Sequence, residues 1–203
     1  MLKSLILAAT MFLVAVPATE TLTQAERDKG IAELEGSKKM FLDATKGLSE
    51  AQWKFKAAPD RWSIEECAEH IALAEGFIFG NVTNNVLKAP LTPEKRTATA
   101  GKDDKIVAML QDRSFKAKAP EPIDPTKKPM THEDSLKLFL GSRAKSEDFI
   151  KTTQEDLRDH MYDGPGPIGP LDAYQWVLFM SGHTRRHTLQ ILEVKADPNF
   201  PKM

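Results

Sequence analysis

The chain has 203 residues, of which 41% are hydrophobic and 28% are charged, and its formal net charge is −1. This length is sufficient for one globular domain with a proper core, and the polar content excludes an integral membrane protein. The near-neutral charge gives no reason to expect nucleic-acid binding. The single cysteine, Cys67, excludes an internal disulfide.

The first residues have the pattern of a secretory signal peptide. Lys3 supplies a positive charge, Leu5 to Val16 form an apolar run, and Val16-Pro17-Ala18 offers a cleavage site after Ala18. A membrane anchor is the weaker alternative, because spanning a bilayer takes roughly 20 apolar residues. We therefore expect a signal peptide at residues 1–18, a mature domain at residues 19–203, and a secreted or periplasmic protein without stable membrane insertion.

The first long helix is predicted from Thr23 to about Leu48, where apolar residues recur with helical period among many charged ones. The connection that follows, residues 49–62, contains a turn at Pro59 and Asp60. Its aromatic residues offer large apolar surfaces. We expect this connection to cap one end of a helical bundle.

The second helix is predicted to begin at the capping box Ser63-Ile-Glu-Glu66 and to end near Leu87. Its apolar stripe places His70 in the middle of the inward face. The members of this stripe are Cys67, His70, Ile71, Ala74, Phe77, Ile78 and Asn81. The charged face is assigned Glu65, Glu69 and Glu75.

Residues 88–130 are rich in proline, which helix interiors disfavour by ~3 kcal/mol. They are predicted to be a long excursion with one short helix, Asp103 to Arg113. The third long helix follows a cap at Thr131 and ends near Thr153. Its apolar side comprises Leu136, Phe139, Leu140, Ala144, Phe149 and Ile150.

The stretch from Asp163 to Pro170 mixes glycine with proline and cannot be helical, and we expect it to return the chain to the far end of the bundle. The fourth long helix then runs from Leu171 or Asp172 to about Ala196. Its inner stripe is Trp176, Met180, His183, His187, Ile191 and Val194. No segment has the pattern of a strand. The sequence therefore predicts an all-α fold, a four-helix bundle whose ligands point inward from facing helices.

Three of the five histidines, His70, His183 and His187, lie on these inward stripes. Residues four apart on a helix share one face, so His183 and His187 can converge on one ion while His70 completes the site from another helix. An unpartnered buried imidazole costs ~1–3 kcal/mol, which favours a shared metal site. The other two, His132 and His160, lie near helix ends or loops and are expected to be solvated.

Several neighbours of these histidines have both a structural and a functional interpretation. Glu66 is more readily a helix cap than a general base, and Cys67 is more readily a core residue than a ligand or reactive thiol. The interval Thr184-Arg-Arg186 lacks the glutamate of the H-E-x-x-H zinc proteases, which excludes that class. Its Arg185 and Arg186 are expected to form salt bridges, with anion or substrate binding as the alternative. Candidate pocket walls are Trp62, Trp176 and Phe77.

The segments Pro59-Asp-Arg-Trp-Ser-Ile-Glu-Glu-Cys-Ala-Glu-His-Ile71 and Gly182-His-Thr-Arg-Arg-His-Thr-Leu-Gln-Ile191 resemble the DinB-like superfamily of four-helix-bundle metalloproteins. The resemblance extends over about residues 24–195. In that family a histidine of the second helix joins two histidines of the last helix to hold a divalent metal. The resemblance therefore implies that His70, His183 and His187 are the metal ligands. It also implies thiol S-transfer, thiol-dependent isomerisation or metal-dependent hydrolysis as the chemistry.

We therefore expect an exported metal-dependent hydrolase or thiol-dependent transferase that acts on a small molecule, with a water or thiol held by the ion as the nucleophile. Three imidazoles suit Zn, Ni, Fe or Cu, so the identity of the divalent metal stays open. Two alternatives also stay open. In one, the metal is structural or adventitious and the bundle acts through homodimerisation or partner binding; in the other, no metal binds and the histidines form a core network.

Overall fold

The computed structural model describes residues 21–114 and 118–202, so the predicted signal peptide lies outside the described residues. The helices are α1 (Gln24–Thr45), α2 (Glu50–Lys54), α3 (Ile64–Asn84), α4 (Arg96–Thr99), α5 (Asp103–Gln111), α6 (His132–Thr152) and α7 (Ala173–Lys195). Short 3₁₀ turns lie at Val86–Lys88, Pro93–Lys95, Glu121–Ile123 and Gly166–Ile168. Two strands, β1 (Met161–Asp163) and β2 (Pro170–Asp172), form an antiparallel hairpin. The predicted all-α class is confirmed, and within the described ranges no helix is long and apolar enough to cross a membrane.

The long helices begin where the sequence predicts because each has a side-chain cap. Thr23, Ser63, Thr131 and Asp172 accept hydrogen bonds from first-turn amides of α1, α3, α6 and α7, respectively. A cap satisfies a backbone donor that has no partner inside the helix, typically stabilising the helix by ~1 kcal/mol. The helix starts are therefore determined locally, by the residues that precede each apolar stripe.

The end of the first helix differs from the prediction. Gly47 adopts a φ of 70°, in the left-handed region that terminates helices. Ser49 then caps the separate helix α2, which the sequence did not indicate. Trp53 of α2 is buried against the bundle, so this connection caps one end of the core as expected.

The four long helices α1, α3, α6 and α7 form the bundle, and α1 and α3 each pack between α6 and α7. Hydrogen bonds join Tyr174 to Glu26 and Lys195 to Ala44, so α1 and α7 run parallel. Helices that follow each other along the chain, α1 with α3 and α6 with α7, therefore lie on the diagonals of the bundle.

α3 and α6 also run parallel, since Glu75 bonds Arg143 and Phe79 packs on Phe149 further along both helices. Two parallel neighbours need a connection that travels the length of the bundle, about 30 Å for helices of this size. Residues 85–131 are that connection. The proline-rich excursion of the sequence is thus a crossover, and it carries α4 and α5 along the outside of the bundle.

The connection between α6 and α7 does not travel to the far end, which corrects the prediction. The Ala173 amide donates to the His160 carbonyl and the Tyr174 amide donates to the Leu157 carbonyl, so α7 begins beside the end of α6. The same segment forms the β1–β2 hairpin, which the sequence also did not indicate. Strands of three residues are too short to show an alternating pattern.

The core consists of two apolar clusters with a buried polar layer between them. One cluster includes Ile78, Ile150 and Tyr174, and the other includes Phe41 and Ile191. The polar layer is formed by Ser37, Glu75, Arg143, Ser146 and Thr184.

Some positions assigned to the helix faces are wrong. Phe77 was placed on the inner stripe of α3 but is 47% exposed, and Leu140 and Ala144 of α6 are also exposed. Conversely, Glu69 and Glu75 were placed on the charged face and are buried. α3 packs against both α6 and α7, so its buried surface is wider than one apolar stripe.

Candidate metal centre

The structure brings together the three histidines that the sequence singled out. One ring nitrogen from each of His70, His183 and His187 lies within 4.8 Å of the other two. The Nε2 atoms of His70 and His183 are 3.2 Å apart. The ring centroid of His187 is 4.4 Å from that of His70 and 4.5 Å from that of His183. The antiparallel contact between α3 and α7 therefore places three imidazoles around one point.

Two of these rings have their Nδ1 atoms engaged. The Nδ1 of His70 lies 2.7 Å from the carbonyl oxygen of Ile123, and the Nδ1 of His187 lies 3.1 Å from Oε1 of Gln190. Both partners are acceptors, so each Nδ1 carries the proton and each Nε2 keeps its lone pair. This is the arrangement by which metal-binding histidines are commonly oriented.

The electrostatic environment keeps the imidazoles neutral. Burial lowers the pKa of His70, although its hydrogen bond to the Ile123 carbonyl acts in the opposite sense. Burial, together with the neighbouring imidazoles and Arg186, places the pKa values of His183 and His187 well below the ordinary value. A neutral imidazole is the form that binds a metal ion.

One predicted pocket wall is in place, one lies further away and one is wrong. The Trp62 ring packs on two of the imidazoles, with centroid distances of 4.8 Å to His70 and 6.0 Å to His187. Trp176 packs against Phe179 with a centroid distance of 5.5 Å, and the Phe179 ring in turn lies 6.2 Å from the ring of His183. Phe77 points away from the core and is not part of the site.

Glu66 and Cys67 have the structural roles that the sequence favoured. Glu66 accepts the backbone N–H of Ser63 at 2.7 Å and pairs with Lys56 at 2.7 Å, so both carboxylate oxygens serve the start of α3. Cys67 is completely buried, and burial raises the pKa of its thiol. Cys67 is therefore a neutral core residue.

The two arginines between the α7 histidines connect this helix to different neighbours. Arg185 pairs with Glu33 of α1 at 3.1 Å, which is the predicted salt bridge. Arg186 donates to the backbone carbonyls of Leu110 and Asp112, and so holds the end of α5 against α7. The expected surface salt bridge of Arg186 stays a prediction.

The expectation that His132 and His160 are solvated is wrong. The His132 ring stacks on Trp53 with a centroid distance of 4.5 Å, and its Nε2 lies 2.9 Å from Glu133. Together with the exposed carboxylate of Glu50, His132 and Glu133 form a second cluster of possible metal ligands at the start of α6. His160 bonds the carbonyl of Ala89 at 2.7 Å.

Three contributors to the site were missed from the sequence. Ile123 contributes a backbone carbonyl, which no side-chain pattern reveals. Gln190 lies three residues after His187 on the same helix, a spacing that could have indicated the contact. Arg113, which follows α5 in the crossover connection, donates to the same Gln190 oxygen at a distance of 3.4 Å.

An all-α bundle with three convergent, neutral imidazoles from two facing helices has the architecture of metal-binding four-helix bundles. Comparison with known proteins identifies the family: the DinB superfamily matches residues 33–191. The chain belongs to this superfamily, which confirms the resemblance noted in the two histidine segments.

One sequence match and one solved structure, both from Bacillus subtilis, are similar to this chain. The uncharacterized protein YuaE of strain 168 is 26% identical over 158 residues, which cover 74% of this chain and 87% of YuaE. The solved structure of YfiT, described as a probable metal-dependent hydrolase with an unusual four-helix bundle topology, is similar with a TM-score of 0.51 and 14% sequence identity. The similarity covers 87% of this chain and 89% of YfiT, and it concerns the fold.

Proposed function

We propose that this protein is a divalent-metal-dependent hydrolase whose ion is held by His70, His183 and His187. The observation that carries the proposal is the convergence of one nitrogen from each ring to within 4.8 Å. Ligands ~2.1 Å from one tetrahedral ion stand roughly 3.4 Å apart. Small side-chain adjustments would therefore bring the three nitrogens into ligand positions.

The chemistry of the donor set fits such an ion. Neutral imidazole suits Zn, Ni and Fe, and three protein ligands leave further coordination positions open. A divalent ion bound there supplies a Lewis acid that lowers the pKa of a water or thiol. The protein contributes the orientation of His70 by Ile123 and of His187 by Gln190, while Trp62 shields one side of the site.

The description of YfiT as a probable metal-dependent hydrolase supports hydrolysis over the alternatives. A thiol-dependent transferase is the second form of the proposal, because the same open positions accept a sulfur ligand. The thiol would come from a second substrate, since Cys67 is completely buried. A bundle that binds metal without turnover is the competing outcome of the test below.

The test compares metal content and turnover in the protein purified without a histidine tag. Wild type is expected to bind close to one equivalent of Zn, Ni, Mn or Fe, whereas His70→Ala and His183→Ala bind none at the site. His160→Ala, a histidine outside the site, is the matched control and keeps the metal. A panel of ester, amide and thiol-transfer substrates then measures turnover. Equal metal content in wild type and the site variants would refute the centre, and metal without turnover would refute the enzyme.

Export is a separate part of the proposal. We infer that residues 1–18 direct secretion and are removed after Ala18, because they combine Lys3 with the apolar run of Leu5 to Val16. The intact mass of the protein in the periplasmic or culture fraction is the test. A mass that includes residues 1–18, or protein found only in the cytoplasm, would overturn it.

A further inference from the structure

We propose that Arg113 is a positioning residue for the metal centre: it holds the Gln190 amide so that Nε2 of His187 keeps its lone pair directed to the ion. This role presupposes the proposed metal centre, but it concerns a proton position that exists without metal. The contact chain is short and direct. Arg113 donates to Oε1 of Gln190 at 3.4 Å, and the Nδ1 of His187 donates to the same oxygen at 3.1 Å.

The orientation of the Gln190 amide decides which nitrogen of His187 is protonated. A glutamine side chain offers an acceptor at its oxygen and donors at its NH₂ group. With the oxygen towards His187, Nδ1 carries the proton and Nε2 is an open ligand. With the NH₂ group in that place, Nδ1 would accept and the proton of a neutral ring would move to Nε2. The second arrangement blocks metal binding by His187.

Arg113 favours the first arrangement because a guanidinium has donors only. A reversed amide would lose the hydrogen bond from Arg113 and turn its NH₂ group towards a positive charge. Arg113 is itself held in place, since Nε and Nη2 donate to Glu193 of α7 at 2.5 and 3.1 Å. Nη1 also donates to the carbonyl of Arg186 at 3.4 Å.

His70, the other ligand with an oriented ring, needs no such residue. The Nδ1 of His70 donates to the backbone carbonyl of Ile123, which offers no donor at any orientation. Ile123 and Arg113 both belong to the crossover connection between α3 and α6. This connection therefore sets the proton position of one ligand directly and of the other through Gln190.

A double-mutant experiment tests the role of Arg113. Arg113→Met removes the donors and keeps most of the apolar stem, and it is made in the wild-type and Gln190→Glu backgrounds. A glutamate at neutral pH has acceptors at both oxygens, so it has no orientation to select. Arg113→Met is expected to weaken Zn²⁺ binding by about 10-fold in wild type, the lower end of the range for residues that orient a ligand. In the Gln190→Glu background the loss should be under about twofold.

The sign of the effect separates orientation from charge. Removing a positive charge near a cation site should strengthen Zn²⁺ binding if only the long-range field matters. Arg185→Met is the matched control, because Arg185 lies on α7 beside the site but pairs with Glu33 instead of Gln190. We expect no loss of Zn²⁺ affinity in this control. Equal losses for Arg113→Met in both backgrounds, or no loss in wild type, would overturn the proposal.

A readout without metal keeps this proposal distinct from the proposed function. The ¹⁵N chemical shifts of the His187 ring report its tautomer in the metal-free protein. We expect Nδ1–H in wild type and a substantial Nε2–H population in Arg113→Met. If wild type binds no metal, the metal centre fails while the tautomer still tests Arg113. An unchanged tautomer in Arg113→Met overturns the role of Arg113 whatever the metal result.

Discussion

At the scale of single residues, Arg143 is the point where the four long helices meet. From α6 it donates to the Leu34 carbonyl and Ser37 of α1, to both carboxylate oxygens of Glu75 of α3, and to Thr184 of α7. These contacts use every N–H of the guanidinium. A buried charge is tolerated only when it is paired and fully hydrogen-bonded. The polar layer therefore joins all four helices at one level, next to His183.

Removing one partner of the buried Arg143–Glu75 ion pair should strongly destabilise the fold. Arg143→Met and Glu75→Leu are each expected to lower the free energy of unfolding by about 3–5 kcal/mol, because each leaves the partner buried and unpaired. The double variant should lose much less than the sum of the two. Denaturant unfolding of the four proteins measures the coupling. Strictly additive losses would show that the two side chains act independently.

An exposed ion pair gives the matched comparison for the Arg143 and Glu75 variants. Lys39 and Asp43 of α1 form an ion pair one turn apart, with side chains that are 77% and 60% exposed. Removing either partner is expected to change stability by less than about 1 kcal/mol. A loss as large as that at Arg143 would mean that burial is not the cause.

The contrast between the histidines and Glu75 shows what a sequence indicates at this scale. His70, His183 and His187 were predictable because a rare polar residue stood on an apolar stripe, and the helical period reports that position. The sequence alone indicates a surface position for Glu75, since its buried partner Arg143 lies 68 residues away along the chain. No local pattern connects them. The Ile123 carbonyl, 53 residues from His70, is invisible for the same reason.

At the scale of elements, α5 packs against α7 through Gly182, the residue before His183. A Cβ at Gly182 would lie 2.7 Å from Cδ1 of Leu110 and 3.2 Å from the Cα of Val107. The first distance is a severe overlap, and the second involves backbone that cannot rotate away. Glycine therefore allows the crossover connection to lie directly on the helix that carries two of the ligands.

Gly182→Ala is expected to destabilise the protein by about 1–3 kcal/mol, even though alanine favours helix formation, because the added methyl group overpacks the contact with α5. Gly141→Ala on α6 is the matched control. A Cβ there meets nothing within 4 Å, so this change should stabilise by about 0.5–1 kcal/mol. Urea unfolding of both variants measures the opposite signs. Stabilisation by both would mean that α5 does not rest on Gly182.

The elements themselves were largely predictable, and their arrangement was not. Caps such as Ser63 and Asp172 and the apolar period place the ends of the long helices within a few residues. The same pattern says that a face is buried but does not say against which helix. The parallel pairing of α3 with α6 therefore did not follow from the sequence, and neither did the need for residues 85–131 to cross the bundle. The left-handed conformation of Gly47 and the β1–β2 hairpin depend on local turn geometry, which the helical periodicity of apolar residues does not report.

At the scale of the whole molecule, Arg158 joins three separate parts of the chain at one end of the bundle. Its guanidinium bonds Glu26 at the start of α1, Asp103 at the start of α5 and Asp172 at the start of α7. It also lies 4.3 Å from the centre of the Tyr174 ring. All three carboxylates lie in or next to first helical turns, where negative charge is favourable.

This cluster should make the contribution of Arg158 dependent on pH. Partial burial raises the pKa values of Glu26 and Asp103, but hydrogen bonds, including those from Arg158, outweigh it and leave both below their ordinary values. Burial raises the pKa of Asp172 to about 6, and Arg158 opposes that rise. Arg158 therefore favours the charged form of each group, so its stabilisation is present at neutral pH and is lost as the groups become protonated.

Arg158→Gln is accordingly expected to lower stability by about 2–4 kcal/mol at pH 7. The difference from wild type should shrink around pH 6, where Asp172 takes up a proton. It should shrink further as the pH falls through the folded-state pKa values of Glu26 and Asp103, which lie below their ordinary values of 4.5 and 3.8. Denaturant unfolding of both proteins from pH 7 to pH 3 gives the curve. A difference that stays constant over this range would show that Arg158 acts through packing alone.

Metal binding should stabilise the whole bundle, because the three ligands converge only when α3 and α7 are packed together. An ion that binds only the folded state adds ~2.7 kcal/mol at 100 times its dissociation constant, and for a protein of this size that corresponds to a rise in Tm of about 5–10 °C. Differential scanning calorimetry with excess Zn²⁺ should show this rise in wild type and in His160→Ala but not in His183→Ala, and a chelator should reverse it. The opposite result, in which His183→Ala keeps the rise and His132→Ala loses it, would place the ion at the cluster of Glu50, His132 and Glu133. The histidines of α3 and α7 would then not be the stabilising site.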